Sequence, residues 1–197
     1  MAAIYPLLKP HDWPHQALVA HRRLSDSAPE LPLIAFGFDT GENYQFVPAK
    51  SVDDIEALYQ EALGNLAALD YPWELGGAGG LQFATSSGHE FSAERLLDNR
   101  AMVECQRLLA ADQILVAAPR RTCLFATQYG LPEEQRHLFV QMVLHTYHDD
   151  SHEHAAISPA MFVVEHGVIK SVMIPAEEPD APHPAPPPKK PWWKLWG

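Results

Sequence analysis

The ten residues His145-Thr146-Tyr147-His148-Asp149-Asp150-Ser151-His152-Glu153-His154 concentrate imidazoles and carboxylates. If a helix runs this far, His145 and Asp149 lie one turn apart, as do His148 and His152. At that separation two side chains can grip one divalent ion such as zinc. His145, His148, Asp149 and His152 are therefore the candidate metal ligands, and a metal-dependent hydrolase is the chemistry they would serve. The spacing carries neither an H-E-x-x-H pattern nor paired cysteines. The plainer reading is a solvated helix end, where imidazoles favour the negative pole of the dipole. His137, Gln141 and His145 share one stripe of the same helix, either a pocket wall or simply its water-facing side.

Other groups offer less. Arg120 and Arg121, next to Pro119, have the charge to hold an anion, although cations in a turn are ordinarily just exposed. Cys123 sits in an alternating strand pattern that makes it a packed thiol rather than a nucleophile. Ser86-Ser87-Gly88-His89 has hydroxyls near an imidazole but no G-x-S-x-G elbow. The glycines at 76, 77, 79 and 80 lack the Gly-Lys-Ser/Thr end of a phosphate loop. No catalytic residue is assigned, and the leading reading needs no cofactor.

A second concentration of chemistry lies in the last nine residues, which contain Lys189, Lys190, Trp192, Trp193, Lys194, Leu195 and Trp196. Each indole can bury about 150–250 Å² against a partner. At roughly 25 cal/mol per Å², even partial burial of three indoles yields several kcal/mol before ordering costs. Tryptophan with interleaved lysine suits a bilayer headgroup region, and tryptophan is also the characteristic anchor of protein grooves. A third arrangement folds this peptide back over its own body.

These groups need a scaffold, and composition bounds it. The chain has 197 residues, of which 47% are hydrophobic and 20% charged, enough apolar content to bury a core. With 14 Lys plus Arg against 25 Asp plus Glu, the net charge is −11, which argues against a nucleic-acid backbone as partner. Such acidity would also suit an immunity-type protein that neutralises a basic toxin. Two cysteines give no disulfide framework, and neither a leader nor a spanning apolar run is visible, so a cytoplasmic setting is expected. A peripheral place at the inner face of the membrane is the variant that the tail would bring.

The sharpest composition change follows Ile174. Residues 1–174 read as a single domain, 175–188 as a proline-rich linker, and 189–197 as a docking peptide. Closely spaced prolines remove backbone donors, and at about 3.1 Å per residue such a linker can hold its far end some tens of ångströms away.

Within the body, residues 31–38 and 44–47 read as hairpin strands around a turn. Ser51, with Asp54 at capping-box spacing, predicts a helix carrying Ile55, Leu58, Ala62, Leu66 and Leu69 on one face. The glycines of 76–80 read as a flexible connection to a strand over 81–85, and 89–96 as its hairpin partner. Asp98 then caps a helix through Ala110 whose buried face includes Ala101, Met102, Cys105, Leu108 and Leu109. Residues 113–118 have the continuous apolar content of a central strand, paired with 122–127. Pro132, Glu133 and Glu134 open a third helix with Leu138, Phe139, Met142, Val143 and Thr146 inward. A final hairpin comprises 161–164 and 168–174. The order β-β-α-β-β-α-β-β-α-β-β implies an α+β fold, a mostly antiparallel sheet with about three helices on one face.

On three stretches the body resembles the YtpQ-like family of uncharacterised bacterial proteins. These are Leu58-Tyr59-Gln60-Glu61-Ala62-Leu63-Gly64-Asn65-Leu66, Phe91-Ser92-Ala93-Glu94-Arg95-Leu96-Leu97, and the segment from Asp112 through Pro119-Arg120-Arg121 to Leu124. The resemblance covers roughly residues 31–172. After Pro119 the chain has Arg121-Thr122 where the family would show Arg-Asp, which weakens any carry-over of a salt bridge or a binding role there. It implies a fold and a compartment but no activity. The expectation is a non-enzymatic binding or adaptor module whose tail docks to a protein partner or the membrane surface, with the metal-dependent hydrolase as alternative.

Overall fold

The computed structural model describes residues 2–41, 44–151 and 154–175. Two antiparallel sheets form. In the first, β3 (Leu33–Asp39) lies against β1 (Ile4–Lys9) on one side and against β2 (His21–Arg23) and β4 (Tyr44–Phe46) on the other. Ile4 pairs with Phe38 and Lys9 with Leu33, and Asp39 faces Tyr44 across the expected hairpin. Helix α1 (Ile55–Ala67) buries Ala62 and Leu66, and Asn65 donates a 2.9 Å bond to the Ile4 carbonyl of β1.

The second sheet contains β5 (Glu74–Ala78), β6 (Leu81–Thr85), β7 (Gln113–Ala117), β8 (Phe125–Gln128), β9 (Met161–Glu165) and β10 (Val168–Met173). Their spatial order is β10-β9-β7-β8-β6-β5, which makes β7 a central strand, as its unbroken apolar run requires. Leu115 and Ala117 on one face join Leu81, Met161 and Val163 beneath Phe139 and Val143 of α3 (Glu133–His148). Ile114 and Val116 on the other face join Phe162, Val164 and Ala126, together with Met102 and Cys105 of α2 (Asn99–Leu108) and the core of the first sheet.

The α+β class, its antiparallel hairpins and its three helices are as the sequence predicts, and Asp98 caps α2 through a 2.9 Å bond from the Arg100 N–H. Several expectations are corrected. The strands divide into two sheets, and β1 and β2 precede the first strand expected. The six-stranded sheet is covered on both faces, because α2 and α3 lie on opposite sides of it. Helix α1 starts at Ile55 rather than Ser51, since Asp54 accepts from the Glu56 and Ala57 N–H groups while the Ser51 hydroxyl bonds the Pro48 carbonyl.

The glycines of 76–80 are not a loose connection. They build β5 and its turn into β6, with Gly79 and Gly80 at φ +58° and +82°. The missing side chain of Gly76 admits the ring of Phe83 on its cross-strand partner, where a Cβ would stand 2.6 Å from the ring. Residues 89–96 are not a strand. Ala93–Leu97 forms a 3-10 helix, and all five of its residues are buried. Leu108 and Leu138, expected inside, are 38% and 41% exposed.

The β9–β10 turn packs tightly against α2. Gly167 has φ +76°, and a Cβ there would stand 2.5 Å from the Asn99 carbonyl oxygen. The left-handed conformation alone costs a side chain about 1–2 kcal/mol, and the contact with backbone adds to it. Gly167→Ala is expected to destabilise the protein by at least that amount in urea denaturation. Gly88→Ala, at φ +87° but with nothing within 4 Å, is expected to lose only the conformational part.

Candidate functional site

The buried 3-10 helix places two adjacent charged residues inside the protein, with Glu94 at 1% and Arg95 at 4% exposure. A charge out of water needs compensating hydrogen bonds. Arg95 obtains them: it donates to the Tyr71 carbonyl and, at 2.7 Å, to the Ser86 hydroxyl, with its guanidinium carbon 5.4 Å from the Trp73 ring centre. Glu94 is only half satisfied. Its Oε1 accepts the Leu8 N–H of β1 at 3.0 Å, whereas its Oε2 is buried with no partner among the described residues.

Two cations stand near this carboxyl without closing on it. Lys9, at the end of β1, holds its ammonium 5.5 Å from the Trp13 ring centre and 5.3 Å from that of Phe46. Arg121, on the segment between β7 and β8, lies 4.4 Å from the ring centre of Tyr44 and 3.1 Å from Glu90. Tyr44 packs edge-on against Phe91, on which Tyr5 also stacks. The Tyr44 hydroxyl is buried and makes no well-formed hydrogen bond among the described residues. Glu90 nevertheless lies close enough to add to burial in raising its phenol well above the usual value.

Burial pushes Glu94 up to about 7 against the opposing pull of the Leu8 N–H, Arg121 and Lys9. Burial also lowers the Lys9 ammonium; Arg121 adds to that effect and Glu94 opposes it. The cluster thus joins the first sheet, the buried 3-10 helix and the β7–β8 connection. It brings together the Lys9 amine, the Arg121 guanidinium and a Glu94 carboxyl that is partly protonated near pH 7.

The residues nominated from sequence lie elsewhere. Helix α3 does extend to His148, so His145 and His148 occupy its last turn and Asp149 follows it directly. The Ser151 hydroxyl and N–H, at 2.6 and 3.0 Å, hold the Asp149 carboxyl below its usual value, and the charge of His145 assists. His152 is outside the described residues. Among those described, no three His, Cys, Asp or Glu side chains group so as to hold a metal ion. His137, Gln141 and His145 form the exposed stripe that the helical period implies. The peptide containing Lys189, Lys190, Trp192, Trp193, Lys194, Leu195 and Trp196 also lies outside the described residues.

Arg120 and Arg121 have separate roles. Arg120, 5% exposed, donates to the carbonyls of Thr146, Tyr147 and His154 at 2.6, 2.8 and 2.8 Å, so it caps α3 and ties down the chain beyond it. Ser86 is engaged by Arg95, Ser87 by Thr85 and Leu124, and His89 stacks on Tyr71, so no serine–histidine pair forms there. Burial pushes the Cys105 thiol up to about 12 and raises Cys123 as well, which keeps both as packed thiols. Sequence reasoning overlooked Lys9 and Glu94. A charged pair inside the otherwise apolar 91–97 stretch was the available signal for Glu94.

The chain is similar to uncharacterised UPF0354 proteins. It is 27% identical over 128 residues to one from Listeria welshimeri, covering 61% of this chain and 47% of the relative. It is 25% identical over 130 residues to one from Listeria monocytogenes serotype 4b, covering 62% and 48%. The chain therefore spans about half the length of the curated relatives it matches. No family model and no solved structure matches it. The similarity agrees with the YtpQ-like resemblance, two of whose segments bring Phe91, Glu94 and Arg121 into one cluster.

The raised Glu94 carboxyl makes stability depend on pH. Between its unfolded value of about 4.5 and its folded value of about 7, the native state holds the proton more tightly, so stability is lost as pH rises through that window. Glu94→Gln removes this dependence. Relative to wild type, the variant is expected to gain on the order of 3 kcal/mol between pH 4.5 and pH 7.5, and the difference should then level off. Urea denaturation at several pH values measures this, and a difference that is flat with pH would contradict the assignment.

Proposed function

We propose that the chain is a non-enzymatic binding or adaptor module of the cytoplasm, in which the 1–174 body displays the 189–197 peptide for docking to a protein partner or the membrane surface. One observation carries this reading. The last strand among the described residues, β10, ends at Met173, and the proline-rich composition begins at Pro175. The change in composition therefore follows β10 directly rather than interrupting a strand.

Chemistry supports docking by this peptide. Three indoles and a leucine supply apolar area, and three lysines supply charge toward an anionic surface. Among the described residues no helix is long and apolar enough to cross a membrane, so the membrane form of the proposal is peripheral. A short interfacial segment binds lipid weakly and reversibly unless a second signal assists it.

Deleting residues 189–197 is expected to leave the circular dichroism and cooperative unfolding of the body unchanged while abolishing capture of its partner or flotation with anionic liposomes. Undiminished capture and flotation would contradict the docking role. Loss from only one of the two assays tells protein from lipid.

A second reading has its own observation: α3 does reach His148 and so sets His145 and Asp149 one turn apart. On that reading His145, His148, Asp149 and His152 bind zinc and the protein is a metal-dependent hydrolase. Calorimetric titration of chelator-stripped protein should then show stoichiometric zinc binding that is lost in His148→Ala. Absence of binding removes this alternative.

A further inference from the structure

We infer that Lys9 and Arg121, backed by Glu94, form a binding site for a small oxyanion, a carboxylate or a tetrahedral ion, at the seam between the two sheets. This goes beyond the docking peptide and does not depend on it.

The argument is one of unmatched donors. The Lys9 ammonium lies over the rings of Trp13 and Phe46, and among the described residues it makes no hydrogen bond or ion pair. An ammonium has three N–H groups to place. Arg121 uses Nη2 toward Glu90, with the rest of its fork unspent. Glu94, behind them, has Oε2 buried and unpaired, and in its neutral form it adds a hydroxyl donor.

The surrounding acceptors do not satisfy this set. Glu90 answers one cation, and the Glu94 carboxyl already spends Oε1 on Leu8. An oxyanion supplies several strong acceptors at once and the negative charge that two cations call for. Lys9 and Arg121 are both partly exposed, so the mouth of the site reaches solvent while Glu94 forms its floor. The aromatic groups Trp13, Phe46, Tyr44 and Phe91 flank the cations and exclude water around them, which strengthens each charge-assisted bond.

The same arrangement makes binding depend on pH. The charged groups facing Glu94 are Lys9 from β1 and Arg121 from the β7–β8 connection, with Glu90 beyond Arg121. Within this set Glu94 is the group displaced to about 7, and Glu94→Gln isolates its contribution to any change across that range. Ionised, it neutralises part of the positive field and presents an acceptor to the anion; neutral, it donates.

Sulfate is the test probe, because its charge is fixed over this range, and acetate is run in parallel to separate a carboxylate ligand from a tetrahedral one. In amide spectra of the full chain, the Leu8 N–H and the Trp13 indole N–H are followed at constant ionic strength set with chloride. Saturable, millimolar binding by either anion is expected, at least threefold weaker at pH 8 than at pH 6. Lys9→Gln should weaken it about tenfold, and Glu94→Gln should retain binding while removing its pH dependence. Shifts that are linear in concentration, or unchanged in Lys9→Gln, would overturn the site. Binding equal at pH 6 and pH 8 in the wild type would overturn the role of Glu94. Because the 189–197 peptide is intact throughout, these outcomes are independent of whether it docks.

Discussion

The structure depends on how it settles a charged pair inside an apolar wedge. The buried 3-10 helix Ala93–Leu97 lies between the two sheets and contributes Ala93, Leu96 and Leu97 to the common core. Glu94 and Arg95 enter the interior with it. An unpaired buried ion carries a penalty of several kcal/mol, so each must be met by whatever packs against the wedge. Arg95 takes a carbonyl and a hydroxyl from the 71–86 stretch preceding the wedge, and Glu94 takes the backbone N–H of Leu8 from the first. These bonds fix how the wedge engages both neighbours, something that contacts among leucines and alanines leave less determined. The incomplete part of the settlement is Glu94 Oε2, and the upward displacement of that carboxyl, to about 7, expresses the cost.

A comparable economy operates at the other end of the molecule. A helix leaves its last carbonyls without intrahelical donors, and α3 ends where the chain must leave the second sheet and return as β9. Arg120 occupies this junction with a planar fork whose donors reach Thr146, Tyr147 and His154. Because Nε and both Nη atoms are engaged, Arg120 is a structural clamp, while Arg121, one residue on, retains donors for other use. Adjacent residues of one type thus diverge because Arg120 pairs with Ala156 in an isolated bridge while Arg121 lies in the turn that the Cys123 N–H closes on the Arg120 carbonyl at 2.9 Å.

What was legible in the sequence follows from which signals are local. The continuous apolar run of β7, the Asp98 cap of α2 and the water-facing stripe of α3 are each written within a dozen residues, and each appears in the structure. Strand β1 was hidden by Pro6, a residue that disfavours a central strand but is tolerated at an edge, where β1 lies. The wedge resembled a strand because Phe91, Ala93 and Leu96 mix apolar with polar neighbours, and only burial of every residue from 93 to 97 distinguishes it. Strand β5 looked like a linker because its glycines signal freedom, although the need at Gly76 is room for Phe83. The cluster was the least legible feature, since Leu8 and Glu94 are 86 residues apart. Arg121 could be nominated as a cation, but its relation to Lys9 and Glu94 is a product of sheet packing.

The net charge of −11 bears differently on the two kinds of anion considered. A polyanion feels the field of a whole face and gains affinity from many cations at once, which an acidic chain does not offer. A small oxyanion is governed by the groups it touches, because salt screens more distant charges over about 8 Å at physiological ionic strength. Around the cluster, Lys9 and Arg121 stand against Glu90, Asp39 and a partly neutral Glu94. The local balance is therefore much closer to neutral than the net charge of the whole molecule. Overall acidity then disfavours extended anionic partners, whereas a compact anion answers to the few charges it touches.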